Sequence, residues 1–144
     1  MRVRKLVLVF VAICIFIVTG CSNILGNEDQ RIEVQKHVGD DKYEDFKIVT
    51  DNNPVLQVKK ILNDTNFENK KVEMSRSADY RFIFQFKNPK IEVKAVSYQI
   101  WISPNKDKVE IMAGDNRYAQ LEGKNAATLF WIVTGEKLAK IYGT

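Results

Sequence analysis

Apolar and polar side chains alternate along several stretches of the second half of the chain, the pattern of strands with one buried face. The clearest stretch follows Asp79 and predicts a strand with four aromatic residues on one face: Tyr80, Phe82, Phe84 and Phe86. Val72 and Met74 mark a shorter extended piece before it. The other predicted strands lie at residues 44–50, 93–102, 109–111 and 117–121.

Two stretches instead repeat their apolar residues at spacings of three and four, which predicts amphipathic helices. The first covers residues 54–63, and its apolar face consists of Val55, Val58, Ile61 and Leu62. The second covers residues 124–134 and is followed by Gly135, the residue type that most often ends a helix in the left-handed conformation.

These elements predict an α+β fold with an antiparallel sheet of about four to five strands, two helices packed on one face, and the order β-α-β-β-β-β-α. We expect the aromatic row to face the helices. Trp101 falls on the opposite face of its strand, which leaves two alternatives: either the sheet is covered on both sides, or this tryptophan is partly exposed.

The first twenty residues have the anatomy of a signal peptide. Arg2, Arg4 and Lys5 precede a 13-residue apolar run, which is shorter than the ~20 residues that a membrane-spanning helix needs. The run ends in Val18-Thr19-Gly20-Cys21, which resembles the lipobox of bacterial lipoproteins. The resemblance implies cleavage between Gly20 and Cys21, a diacylglycerol thioether on Cys21, and usually a further acyl chain on the new amino group. Two or more acyl chains hold a protein stably on a bilayer.

This anatomy predicts four segments along the chain. Residues 1–20 are the signal peptide, 21–42 a flexible tether from lipidated Cys21, 43–138 a single α+β domain, and 139–144 a C-terminal tail. The tether is inferred from weak apolar periodicity and from polar residues and glycines. We therefore expect the protein on the outer, extracytoplasmic face of the cell membrane, held to the bilayer through acylated Cys21.

Charge and cysteine content narrow the range of partners. The chain carries a formal charge of +4, but three of its 22 basic residues and none of its 18 acidic ones belong to the signal, so the mature chain is at +1. Nucleic acid is therefore not an expected partner. The other cysteine, Cys14, lies in the signal, so no disulfide is expected after processing. The oligomeric state does not follow from the sequence.

One further resemblance concerns the folded part. The stretch from Phe67 to Phe86, with Asp79-Tyr80 opening the aromatic strand, and the stretch from Tyr98 to Ser103 are similar to small uncharacterised lipoproteins of Bacillus-type bacteria called YhfM-like. The likeness covers residues 42–138 and implies a compact α+β domain at the cell surface. It implies no active-site residue, because no catalytic or ligand-binding motif defines this family.

The sequence predicts no catalytic residue, no metal ligand and no cofactor. The sole histidine, His37, lies in the predicted tether and is expected to be solvated. An acidic cluster lacks the alternating oxygen ligands and central glycine of a calcium loop, and we expect a solvated patch; it comprises Asp40, Asp41, Glu44 and Asp45. No serine has the neighbours of a nucleophile elbow.

The candidate binding surface consists of Trp101, Arg76 and Asp79, and Arg81 and Arg117 could join it at one end of the sheet. The alternative for these polar residues is an ordinary role in turns and on the strand surface.

The function expected from these features is a non-catalytic binding or interaction module of the cell envelope, whose ligand is an envelope protein, a wall polymer or a small ligand. One alternative is an inhibitory or protective surface protein. The other is a small carboxylate-dependent hydrolase that pairs Asp79 with Asp115 or Glu110.

Overall fold

The computed structural model describes residues 29–138, which form seven strands and two helices. The strands are all antiparallel and lie in the order β2-β1-β4-β5-β6-β7-β3. The elements are β1 (Gln30–Gly39), β2 (Lys42–Val49), α1 (Asn52–Asp64), β3 (Glu68–Asn69), β4 (Tyr80–Phe86), β5 (Tyr98–Ile102), β6 (Lys108–Ala113), β7 (Arg117–Glu122) and α2 (Gly123–Thr134).

The α+β class and the antiparallel sheet with two helices are confirmed, but the sheet is larger than the four to five strands predicted. The additional strands are β1 and the two-residue β3. The strand predicted at 93–102 is shorter and begins only at Tyr98. In a strand, Val93 and Val96 would point to opposite faces because they are three residues apart. Both are about half exposed, so burial does not extend the strand to them.

Strand β1 corrects the predicted tether. Ile32 and Val34 are buried at 0% and 2% exposure, and β1 lies between β2 and β4 in the sheet. A two-residue turn joins β1 to β2, and both of its residues, Asp40 and Asp41, have positive φ angles (47° and 57°), as a type I′ hairpin turn requires. The tether prediction is therefore wrong from Gln30 onward, while residues 21–28 lie outside the described part of the chain.

The main core lies between one face of the sheet and the two helices. The apolar face predicted for α1 is buried, and α2 contributes Ala126, Leu129, Phe130 and Val133. Three members of the predicted aromatic row face the helices: Tyr80 and Phe82 are buried, and Phe84 is partly buried against the same core. The ring of Phe82 stacks on that of Tyr98 with centroids 5.0 Å apart.

The C-terminus of α2 is fixed to the sheet. Gly135 has a φ of 77° and donates its N–H to the carbonyl of Trp131 at 2.8 Å, which confirms the predicted helix end. Lys47 of β2 donates from Nζ to the carbonyl of Ile132 at 2.9 Å. Leu138 is buried, and the predicted tail at 139–144 lies outside the described residues.

The other face of the sheet is covered only in part. Strand β3 lies beside β7 at the edge, whereas β4 lies near the middle, so the chain between them must cross the sheet. We call residues 70–79 the crossing segment. Its side chains Val72, Met74 and Ala78 pack on Trp101 and Met112 in a second, smaller apolar cluster. The β2-β1-β4 half of this face lies outside that cluster, and we call it the open half-face.

Candidate binding surface

The three residues predicted as a binding surface lie together, bound mainly to one another. Arg76 contacts both carboxylate oxygens of Asp79, with Nη1–Oδ1 at 2.6 Å and Nη2–Oδ2 at 2.9 Å. Arg76 also donates from Nη2 to the carbonyl of Ile102, and Asp79 Oδ2 accepts the amide of Ile102 at 2.7 Å. The Asp79 carboxylate raises the pKa of the Arg76 guanidinium, chiefly through this hydrogen bonding.

Trp101 is buried beneath the crossing segment, with 4% of its surface exposed. Its indole Nε1 donates to the carbonyl of Arg76 at 2.9 Å. Of the two alternatives for this residue, the structure shows the sheet covered on both sides at this point. We call Arg76, Asp79 and Trp101 the latch, because their hydrogen bonds hold the crossing segment against β5.

The other two arginines do not join the latch. Arg81 lies on the open half-face with its guanidinium 4.1 Å from the ring centroid of Tyr43. Arg117 is the strand partner of Ala113, and Ala113 is the strand partner of Tyr98, so Arg117 lies on the helix-covered face with Tyr98. The guanidinium of Arg117 lies 4.8 Å from the ring centroid of Phe67. The two therefore lie on opposite faces of the sheet.

The open half-face carries a polar groove with a cavity of about 240 Å³. It is lined by Glu33 and Gln35 of β1, Asp45 of β2, Arg81, Phe82 and Ile83 of β4, and Ser97. A chain of hydrogen bonds crosses its floor: Arg81 Nε donates to Gln35 Oε1 at 2.6 Å, and Gln35 Nε2 donates to Asp45 Oδ1 at 2.8 Å.

Tyr43 supports the groove from the side. Its hydroxyl donates to the carbonyl of Ala78 at 2.9 Å, and its ring lies against the guanidinium of Arg81. Burial raises the pKa of the Tyr43 hydroxyl, while the nearby Arg81 charge acts in the opposite direction. Arg81 is therefore held by a hydrogen bond on one side and an aromatic ring on the other, so little side-chain entropy remains to be lost on binding a ligand.

The sequence alone does not predict this groove, because three of its lining residues come from β1 and β2, and the β1 residues fall in the predicted tether. The signal was present: Ile32 and Val34 alternate with Arg31, Glu33 and Gln35. Four charged or polar residues on the outward face, Arg31, Glu33, Gln35 and His37, give the stretch the composition of a linker.

His37 belongs to β1 and not to a solvated linker, so its expected role is corrected. Its ring lies 5.4 Å from that of Tyr43, and its backbone N–H donates to the carbonyl of Asp79 at 3.0 Å. The Nε2 atom is buried and has no hydrogen-bond partner among the described residues. The same strand thus supports both the groove and the latch.

The carboxylates proposed for hydrolysis have other roles in the structure. Asp79 has both oxygens engaged in the latch. Glu110 accepts the hydroxyl of Tyr118 at 2.6 Å; burial, assisted by this bond, raises the pKa of Tyr118 to about 12. Asp115 lies in the turn between β6 and β7, at the other end of β6 from the Ile102 pairing.

The acidic cluster divides between the hairpin turn and β2. Asp41 accepts a hydrogen bond from Ser77 Oγ, and Asp45 faces the groove. Within residues 29–138, no group of three or more His, Cys, Asp or Glu residues is arranged to hold a metal ion. No helix in the same range is long and apolar enough to cross a membrane. Gly20 and Cys21 lie outside the described residues.

The fold and surface define an α+β domain with helices on one sheet face and a polar groove on the other. A family model described as YhfM protein matches residues 27–138, so the chain belongs to the YhfM family, as its resemblance indicated. The match begins before β1, which agrees with the inclusion of that strand in the domain. No curated protein and no solved structure matches the chain.

Proposed function

We propose that this protein is a lipoprotein anchored by acylated Cys21 to the outer face of the cell membrane, where its domain is a non-catalytic binding module of the cell envelope. The signal-peptide anatomy and the cysteine at its end support the anchor. The observation that carries the binding role is the groove of the open half-face, where Arg81 is held in place beside two carboxylates and an amide.

The groove lining favours a ligand rich in hydroxyl and amide groups. A guanidinium has five N–H donors, and the bond to Gln35 uses only one of them. Glu33 and Asp45 add acceptors, and Ser97 adds a group that both donates and accepts. Of the three ligand classes expected from the sequence, a wall polymer offers this mixture of polar groups along an extended chain. We therefore take a wall polymer as the ligand.

The non-catalytic role is supported by the hydrogen bonds that already engage two of the carboxylates considered for hydrolysis, Asp79 and Glu110. A general acid or nucleophile must reach the substrate, and Asp79 is enclosed between Arg76 and the amide of Ile102. Glu110 is likewise bound to Tyr118. These contacts stabilise the protein and leave the recognition of a ligand to the groove.

The anchor is tested by changing each of the chain's two cysteines in turn. We expect the Cys21→Ser variant to lose incorporation of a labelled fatty acid and to leave the membrane fraction when expressed in a bacterial host. The Cys14→Ser variant, altered inside the signal, should behave as the wild type. Equal labelling of the Cys21→Ser variant and the wild type would contradict the anchor.

The binding role is tested by sedimentation of the full chain with purified, insoluble cell-wall polymer. Arg81→Ala should weaken binding at least about fivefold, because a charged hydrogen-bond donor to the ligand is lost. Arg117→Ala is the matched control, since it removes an arginine that also lies on an aromatic ring but on the opposite face. The proposal fails if the wild type does not bind or if both variants weaken binding equally.

A further inference from the structure

The N-terminal end of the described domain is fixed to one particular loop. Asp29 accepts the backbone N–H of Lys87 at 2.9 Å, and its carboxylate lies 3.9 Å from Lys87 Nζ. Asn52 bridges the same two residues: its Nδ2 donates to Asp29 Oδ1 at 3.3 Å, and its Oδ1 accepts from Lys87 Nζ at 2.9 Å. The point at which the chain enters the domain is therefore held against the start of residues 87–97, which we call the β4–β5 loop.

The distance from Cys21 to this point is short. Only eight peptide units separate Cys21 from Asp29, and at ~3.6 Å per residue they span at most about 29 Å. An unstructured chain of that length has a root-mean-square extension nearer about 16 Å. With lipid on Cys21, the Asp29 end of the domain must lie within this distance of the bilayer surface. The ten residues of β1 separate the hairpin turn from the Asp29 end by roughly 30 Å, so only one end of the strand is tied close to the lipid.

The β4–β5 loop has the composition of a membrane-contacting surface. It holds Lys90 and Lys94 against one acidic residue, Glu92, besides Lys87, which is paired with Asp29. Val93 and Val96 flank Lys94 and are 54% and 49% exposed. Exposed aliphatic side chains enter the interfacial region of a bilayer, and lysines beside them are attracted to anionic headgroups.

The charges at the two ends of the domain favour an orientation in which the β4–β5 loop faces the bilayer. At the far end, the hairpin and the start of β2 expose three acidic residues, Asp40, Asp41 and Glu44, against one lysine, Lys42. An anionic bilayer repels that end and attracts the lysine-bearing loop, so electrostatics and the length of the Cys21 linkage act in the same direction.

We propose that the β4–β5 loop is a docking surface for anionic phospholipid, which holds the domain against the membrane with the latch and hairpin directed away from it. The proposal rests on the proposed anchor at Cys21. The acyl chains and the loop act as two linked membrane contacts. Because the domain is held at two points, docking fixes the orientation of the groove relative to the wall.

The test compares two positions of matched exposure in the full acylated chain. In a Cys14→Ser background, Val96→Cys and Val38→Cys variants each receive an environment-sensitive label; Val38 is 51% exposed and lies beside the hairpin. The labelled proteins are reconstituted into vesicles of phosphatidylglycerol or phosphatidylcholine that carry a lipid-attached quencher. Flotation of the vesicles reports the anchor independently of the label.

We expect the label at position 96 to be quenched at least about twofold more strongly than the label at position 38 on phosphatidylglycerol. Adding Lys90→Glu and Lys94→Glu should abolish the difference, because each lysine near an anionic surface contributes about fivefold in affinity. Lys60→Glu on α1 is the control and should have no effect. Flotation with equal quenching at both positions would overturn the docking surface alone, whereas loss of flotation would overturn the anchor and the docking surface together.

Discussion

Arg76 and Asp79 form a bidentate ion pair, and this pair ties the crossing segment to the end of β5. The carbonyl of Arg76 at the same time accepts the indole N–H of Trp101. A pair of parallel charged hydrogen bonds is stronger and more directional than a single contact. Residues that look like a recognition site in the sequence therefore close the second apolar cluster over the sheet.

Removing the latch arginine should destabilise the fold. Arg76→Ala leaves Asp79 with its amide partner only and frees the crossing segment, so we expect the free energy of unfolding to fall by about 1–2 kcal/mol in urea denaturation. Lys60→Ala removes an exposed ion pair with Asp64 and should cost no more than about 0.5 kcal/mol. Equal losses from the two variants would show that the latch contributes no more than a surface pair.

The two tryptophans should respond differently to a quencher in solution. Trp101 is 4% exposed, whereas Trp131 on α2 is 52% exposed. Acrylamide should therefore quench the Trp101→Phe variant strongly, because only Trp131 still emits, and the Trp131→Phe variant weakly. When Arg76→Ala is combined with Trp131→Phe, the remaining Trp101 should become more accessible to acrylamide. Strong quenching of the Trp131→Phe variant would contradict the burial of Trp101.

The inclusion of β1 in the domain is tested by one substitution at two positions of the same strand. Val34 is 2% exposed and Val38 is 51% exposed. Val34→Ala removes buried methyl groups and should lower the free energy of unfolding by about 2 kcal/mol. Val38→Ala should change it by less than about 0.5 kcal/mol. If both changes were neutral, residues 30–39 would behave as a linker and the strand would be absent in solution.

Two tyrosines should titrate late. Burial, assisted by the Glu136 carboxylate 3.3 Å away, raises the pKa of Tyr80 from 10.0 to about 12, and burial with the Glu110 bond does the same for Tyr118. The unfolded chain loses these protons near pH 10, so above that pH the folded state binds more protons. Their contribution to stability is complete below pH 10 and is lost as the pH rises to about 12.

The measurement is an ultraviolet titration of tyrosinate together with denaturation at each pH. The Tyr118→Phe variant should lose part of the late phase and part of the decline in stability. Titration of every tyrosine near pH 10 would show that neither hydroxyl is shielded in the way described.

The sequence predicts the elements whose periodicity is set by burial. The alternation around Phe82 and the helical spacing around Val58 both match elements of the fold, because each has one face in the main core. Strand β1 was missed because only Ile32 and Val34 report its buried face, and most of its other residues are charged or polar. Strand β3 has two residues, too few for any period.

The candidate site was predicted in membership but not in role. Arg76, Asp79 and Trp101 do lie together, yet the burial of Trp101 depends on the crossing segment, whose path no local pattern shows. The groove likewise cannot be predicted from local sequence patterns. It brings together residues as distant along the chain as Glu33 and Ser97, and this follows only from the order of the strands.

The central claim, that the protein is held to lipid through Cys21, is tested most directly by mass spectrometry of the native protein extracted from membranes. We predict that its first residue is Cys21 and that this residue carries the mass of a diacylglycerol thioether. An unmodified Cys21 thiol, or a mature chain that still contains Met1, would contradict the account.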